Sequence, residues 1–159
     1  MKTHIRLIAL LAVLCLIFCG CAKEDQVVTV QELTITVPGD YIDCSMEDYA
    51  ASYTMVYGSK TGAVMALKEL RSTFAEYGME NMSVMDYAEL LKEGYQLDTA
   101  LVESNGMVSF TFENQGNTYL AGAFATEDAF WLIQAGCPSG NFNSQKETLQ
   151  KILNSVTFS

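Results

Sequence analysis

The stretch from residue 99 to residue 136 limits the fold more than any other. It reads as four short segments, "TALVES", "MVSFTFEN", "TYLAGAFA" and "AFWLIQAG". Asn105-Gly106 separates the first two, "QGN" at 115–117 the next two, and "TED" at 126–128 the last two. Asn-Gly between alternating segments is a strong hairpin signal, because a two-residue turn that matches strand twist needs left-handed backbone at both positions. In "MVSFTFEN", Val108, Phe110 and Phe112 alternate with Ser109, Thr111 and Glu113. A period of two marks a half-buried strand. Strands joined by such short turns must run antiparallel, so a four-strand meander is expected.

The flanking sequence adds other elements. "ELTITVPG" at 32–39 alternates Leu33, Ile35 and Val37 against Thr34 and Thr36 and stops at Pro38-Gly39, which predicts a strand. "SYTMVYG" at 52–58 and "AVMALKEL" at 63–70 flank "GSKTG", which suggests a hairpin. Val64, Leu67, Leu70, Phe74 and Tyr77 also fit a helical period, so 63–70 is read as strand with helix as the competitor. Ser83 with Asp86 reads as an approximate capping box. Val84, Tyr87, Ala88, Leu91 and Tyr95 follow on one helical face, with Gly94 as the expected stop. Asn143 is a candidate N-cap for a last helix, whose stripe is Leu149, Ile152, Leu153 and Val156. The order β, ββ, α, ββββ, α implies an α+β domain, an antiparallel sheet packed with two helices, rather than a doubly wound nucleotide fold.

Charge and composition remove several functions. From Cys21 onward the chain holds seven basic and nineteen acidic residues, a net charge of −12. Such a domain repels phosphate backbones, so no nucleic acid is expected as a partner, and anionic headgroups are disfavoured as a direct contact. His4 is the one histidine of the sequence. Beyond it, Ser-His and Cys-His catalysis, histidine metal sites and imidazole pH switching are all ruled out.

The N-terminus carries an address. Met1 to Arg6 is short and positive, and "LIALLAVLCLIF" at 7–18 is uninterrupted apolar sequence. Twelve residues of helix reach roughly 18 Å, short of a roughly 30 Å hydrocarbon core. The pattern is that of a secretory signal rather than a stable span. Gly20, Cys21 and the polar run "AKEDQ" come next. With "FCGC" at 18–21, this segment resembles a bacterial lipoprotein signal peptide and its lipobox, Phe18 standing where leucine is usual. The resemblance implies cleavage after Gly20 and a diacylglyceryl cysteine at Cys21. It places the chain on the extracytoplasmic face of the cell membrane, at the outer surface or in a periplasm. The organisation expected is a signal peptide at 1–20, a lipid-anchored tether at 21–31 and one α+β domain at 32–159. A C-x-C metal or redox site at Cys19 and Cys21 is the competing reading, but such a site needs further ligands in a folded surround.

The body of the chain carries a second resemblance. The strand ending in "TVPG", the helix "SVMDYAELLKEG", the meander with "DAFWLIQAGC" and the closing "LQKILNSVTF" look like the PsbP/Mog1-like (DcrB-type) sandwich. That fold occurs in many small bacterial lipoproteins and hosts unrelated tasks, so it does not bring a function with it.

Chemistry-bearing residues are sparse. Asp40, Asp43, Glu47 and Asp48 crowd one loop, but the spacing is not that of a calcium loop, so no metal and no cofactor is expected. Glu103, Glu113, Glu127 and Asp128 are the carboxylates a glycosidase-type pair would draw on. "GSKTGA" lacks the phosphate-loop order. Cys44 and Cys137 remain after export and would either form a disulfide or stay as two separate thiols. Trp131, Phe130, Phe124, Phe110 and Phe112, with tyrosines 49, 53, 57, 87, 95 and 119, would fill the core or line a ligand groove. The expectation is a lipid-anchored, non-catalytic binding or assembly module with an envelope protein as partner. A carrier of a small apolar ligand and a carboxylate-based envelope hydrolase are the alternatives.

Overall fold

A computed structural model describes residues 23–159. Cys21, the proposed cleavage point after Gly20 and the apolar run at 7–18 lie outside the described residues. No helix among the described residues is long and apolar enough to cross a membrane.

Among the described residues the ten strands are β1 Gln26–Val30, β2 Leu33–Val37, β3 Ile42–Asp43, β4 Met55–Gly58, β5 Ala63–Leu70, β6 Val102–Ser104, β7 Met107–Asn114, β8 Asn117–Ala125, β9 Ala129–Pro138 and β10 Thr157–Phe158. Helix α1 spans Val84–Gly94 and α2 spans Phe142–Asn154. All pairings are antiparallel, in a seven-stranded sheet of order β3-β4-β5-β9-β8-β7-β6 and a three-stranded sheet of order β1-β2-β10. The α+β class and the four-strand meander are as expected, and 63–70 is a strand.

Strand β9 is buried on both faces, and its alternation sorts the domain into layers. Ala129, Trp131, Ile133, Ala135 and Cys137 face the small sheet and α2, where they meet Leu33, Ile35, Leu149 and Leu153. Phe130 and Leu132 face α1 and meet Tyr87, Ala88, Leu91, Val108 and Phe110. On that second face Tyr87 stacks on Phe130 at 4.6 Å, and Phe74 sets its edge against both rings. The Arg71 guanidinium lies 4.1 Å from the Phe130 ring centroid and donates to the carbonyls of Thr126, Glu80 and Met82. One cation thus ties the β8–β9 turn to the chain that leads into α1.

The tight turns obey their residues. Asn105-Gly106 and Gln115-Gly116 all have positive φ, as a two-residue twist-matched turn requires. Ser83 caps α1 in a capping box with Asp86, as the sequence predicts. Other details differ. α1 is ended by Gln96 at φ 54°, with Leu97 N–H donating to Lys92 O and Gln96 N–H to Glu93 O. That is a Schellman motif, and the left-handed residue is Gln96 rather than Gly94. α2 starts one residue before Asn143, with Asn141 at the cap position and no side-chain cap bond. Val156 lies beyond α2, and the residues after it form β10 on β2.

The expected tether at 21–31 is shorter than its sequence suggests. Gln26–Val30, inside the expected tether, pairs with β2 along its whole length and buries Val28. The first residue of β1 is also fixed by its side chain: Gln26 Nε2 donates to Pro38 O and Tyr41 O, at 3.2 and 2.6 Å. A side chain at Gly39 would collide with the Glu24 carbonyl.

The expected option of a Cys44–Cys137 disulfide is not realised; both are free thiols. Register gives the reason. Cys44 N–H donates to Val56 O, Val56 pairs with Met65, and Met65 with Gln134. The row of Cys44 therefore crosses β9 three residues from Cys137 and three strands away. At about 4.8 Å per strand and about 3.4 Å per residue, the two lie far beyond the roughly 7 Å limit for bridged α-carbons.

Lys68 of β5 joins the two sheets. It pairs with Glu32 in the β1–β2 turn and sits 5.6 Å from the Trp131 ring centroid. The Lys68 ammonium, hydrogen-bonded to Glu32, holds that carboxyl below its ordinary value of 4.5. Its stabilisation is complete above that value and is lost as pH falls through the lowered one. A Lys68→Met variant should therefore show a flatter loss of stability on the acid side, measured by urea unfolding at stepped pH. Removing residues 22–30 should lower stability by at least about 2 kcal/mol, given the roughly 1.5–3 kcal/mol expected from burying one valine such as Val28. An unchanged urea midpoint would show that β1 contributes nothing to the fold.

Candidate functional site

Helix α1 has eleven residues, whereas β8 and β9 have nine and ten. At 1.5 Å per helical residue and about 3.4 Å per strand residue, the helix spans roughly half the sheet. The uncovered half, toward the β7–β8 turn, holds a cleft of about 250 Å³. Its floor is Leu132 and Gln134 of β9, and its wall is Phe110 and Phe112 of β7. The Gln96 turn carries Tyr95 and Leu97 over the sheet from one side, and Tyr53 approaches from the segment before β4. Asn114 closes the rim, while the Glu113 carboxylate turns to the other face of the sheet, toward Thr118.

The aromatic wall is built by register. Phe112 is paired with Tyr119 across the strands, and their rings stack at 5.0 Å. Tyr119 is paired in turn with Gly136, where a side chain would overlap the tyrosine ring. Glycine thus lets the Tyr119 ring lie on the sheet. Gln134 is 9% exposed, and it and Thr118 are the buried polar residues among those described. Thr118 is occupied, its hydroxyl held between Ser139 Oγ at 2.8 Å and the Glu113 carboxylate at 3.2 Å. Gln134 instead lines the cleft. Tyr95 and Tyr119 are held above the ordinary phenol value, chiefly by burial; Glu69 adds to the effect at Tyr95.

The structure divides the aromatic residues singled out in the sequence. Trp131, Phe130 and Tyr87 are core. Phe124 and Tyr57 pack half-buried on the small-sheet side. Phe110, Phe112, Tyr53 and Tyr95 meet at the cleft, with Tyr119 behind them. The side chain of Tyr49 lies outside the described set. Leu97, Asn114 and Gln134 were not anticipated. Gln134 had a signal, being the lone polar residue inside "AFWLIQAGC".

The carboxylates do not converge. Glu113 is near the β7–β8 turn, whereas Glu127 and Asp128 are in the β8–β9 turn, at the other end of β8. Nine residues of strand put roughly 30 Å between the two ends, against the roughly 5–9.5 Å that glycosidase pairs need. Glu103 is exposed on the edge strand β6. Among the described residues no group of three or more histidine, cysteine, aspartate or glutamate side chains could hold a metal ion. In the acidic loop, Asp43 accepts from Ser45 N–H at 2.8 Å, and Ser45 holds its carboxyl below the usual range. Burial raises the Cys137 thiol, which disfavours its nucleophilic form.

A second groove, of about 780 Å³, runs between the Pro38–Asp40 corner and the last turns of α2, with Lys23 and Asp25 at its edge. Tyr41 packs beside Gly62 near this corner; burial, reinforced by Asp40, pushes its phenol up to about 12.

Comparison with solved structures gives the fold a relative. The solution structure of cyanobacterial PsbP (CyanoP) from Synechocystis superposes with a TM-score of 0.55 over 89% of this chain and 96% of that one, at 10% sequence identity. The fold is PsbP-like. A crystal structure from Bacteroides thetaiotaomicron superposes with a TM-score of 0.52 over 87% of this chain at 11% identity, and this chain accounts for 49% of that longer one. No protein-family model matches the sequence. No curated protein matches it. The PsbP-like likeness defines the architecture and leaves the cleft residues to be argued on their own chemistry.

In an NMR pH titration of ring carbons, Tyr95 and Tyr119 should show midpoints above 10, the ordinary tyrosine value. A Glu69→Gln substitution should lower the Tyr95 midpoint and leave that of Tyr119 in place.

Proposed function

We propose that this chain is a lipoprotein held through Cys21 on the extracytoplasmic face of the membrane, and that its PsbP-like domain is a non-catalytic binding or assembly module for an envelope protein. One observation carries the binding role. Both spaces between layers are packed with side chains, while an aromatic cleft stays open on the outer face of the large sheet. A carrier of an apolar ligand would need its cavity between those layers. A hydrolase would need converging acid and base groups.

The anchor rests on the sequence "FCGC" followed by a polar run. Only Ala22 lies between Cys21 and Lys23, which already abuts the Gly39 corner. At about 3.5 Å per extended residue, a lipidated Cys21 would hold the domain within about 10 Å of the headgroups. The cleft opens toward that same end of the sheet. Tyr41 neighbours Gly62, Ala63 pairs with Gly136, and Gly136 lies under Tyr119 beside the cleft. A partner would therefore be met close to the membrane surface. Stable attachment takes more than one acyl chain, at about 0.8 kcal/mol per buried methylene.

A Cys21→Ala variant should lose metabolic labelling by palmitate and move from the membrane to the soluble fraction. Retention of full lipid labelling by that variant would remove the anchor. Crosslinking from intact cells should recover a protein partner with the wild-type chain, and less of it with Tyr95→Ala.

A further inference from the structure

We infer that the free edge of β1 takes an extended, basic segment of the partner protein as a fourth strand of the small sheet. The inference rests on the reading of the domain as a binding module for a protein, and it adds a contact apart from the cleft. Pairing along the β1–β2 hairpin gives the direction of each backbone group. Thr34 and Thr36 of β2 turn theirs away from β1: Thr34 is paired with Thr157 of β10, and Thr36 N–H donates to Ser155 Oγ at 2.8 Å. Their partners across the hairpin are Thr29 and Val27. In an antiparallel ladder both members of such a pair face outward. Thr29 and Val27 therefore direct N–H and C=O to the side opposite β2, where no backbone group among the described residues bonds to them. The fold covers the outward groups of β2 and leaves those of β1.

The other sheet margins are blunted. β3 and β10 have two residues each and β6 has three, and short edge strands are one way native sheets avoid pairing. β1 has five residues in unbroken register with β2, with no proline and no charged residue among them. Val27 on this strand is 69% exposed. A regular edge with free main-chain donors and acceptors is what strand addition uses.

Charge names the occupant. Phe158 of β10 meets Trp131 of β9, and Glu32 beside β1 meets Lys68 of β5, so the small sheet runs from β9 toward β4. A strand added to β1 would lie over Tyr57 of β4 and Asp43 of β3, which are paired and share that face. Tyr57 is half-buried and Asp43 is exposed. An apolar residue of the added strand would cover the tyrosine, and a lysine or arginine would meet the carboxylate. Glu24 and Asp25 stand just before β1 and extend the acidic margin beyond Lys23. A second copy of β1 is a poorer occupant. The register that pairs all five residues would set Glu24 of one copy against Glu32 of the other, and directly opposed like charges destabilise a strand pair.

The test uses the full chain in detergent, with backbone amide signals followed by NMR. The probe is a six-residue peptide of alternating valine and threonine between terminal lysines. Its controls carry N-methyl groups on one or the other alternate set of residues, or glutamate for lysine. With the lysine peptide, saturable shifts and slowed hydrogen exchange are expected at the Val27 and Thr29 amides. One of the two N-methylated peptides should lose binding, and the glutamate peptide should bind more weakly. Val27→Pro removes an N–H that β2 does not use, so it should keep the urea midpoint and weaken binding by about tenfold, the scale of one or two main-chain hydrogen bonds. Val27→Lys, which leaves the backbone unstrained, should weaken binding of the lysine peptide as well. Unchanged exchange at Val27 and Thr29 would overturn the inference. Equal binding of the lysine and glutamate peptides would overturn the basic occupant. Shifts confined to Tyr95 and Phe112 would move the strand to the cleft. A dimer in sedimentation that Val27→Pro abolishes would replace the partner by a second copy. A partner crosslinked in cells equally by wild type and Val27→Pro would remove the edge and leave the binding module standing, whereas no crosslinked partner with wild type would remove the module itself.

Discussion

Burial of β9 on both faces is the constraint from which the rest of the domain follows. A strand whose successive side chains are Phe130, Trp131, Leu132 and Ile133 has no face to give to water. It must lie inside a sheet with a layer on each side. The small sheet and α2 supply one layer; α1 and the Arg71 clasp supply the other. β5 and β8 flank β9 along nearly its whole length, so a one-residue slip of register would exchange the two sets of residues between layers. That would bring Trp131 against α1 and Phe130 against the small sheet, and neither space is shaped for the exchange.

The cleft arises from the same geometry. One layer is a helix too short for the strands beneath it, and the remainder of that face is finished by rings rather than by backbone. Tyr119 on Gly136, stacked with Phe112, keeps the uncovered sheet partly dry. Tyr95 at the margin is 60% exposed and bears little of the packing, so a change there would leave the fold in place.

How much could be read beforehand depended on how local the cause was. The meander was legible because Asn105-Gly106 and Gln115-Gly116 dictate their own turns. The start of α1 was legible because Ser83 and Asp86 satisfy each other within one turn. β1 and β10 were not, since "VVTV" and "TF" become strands through pairing with β2, a partner that no short window reveals. The Cys44–Cys137 option failed for a related reason: sequence placed both cysteines at strand ends but could not show that β4 and β5 stand between them. The cleft was half legible. Its aromatic residues were visible as a set, but their division between core and surface rests on the length of α1 and on the hand of Gln96, which are properties of the assembled layers.

The pairing of β10 with β2 also bears on when the domain can become whole. Ser155 Oγ accepts from Thr36 N–H at 2.8 Å across 119 positions, and Phe158 is paired with Leu33. The large meander contains its own turns and can form from contiguous chain. The small sheet waits for the last residues to arrive, because α2 and β10 complete the layer over Trp131. A chain made from its N-terminus therefore carries β1 and β2 as an unfinished pair until α2 and β10 have been made. Closure between such distant segments is the kind of contact that slows folding. During that interval the apolar side of β2, Leu33, Ile35 and Val37, lacks the layer that buries it in the finished domain.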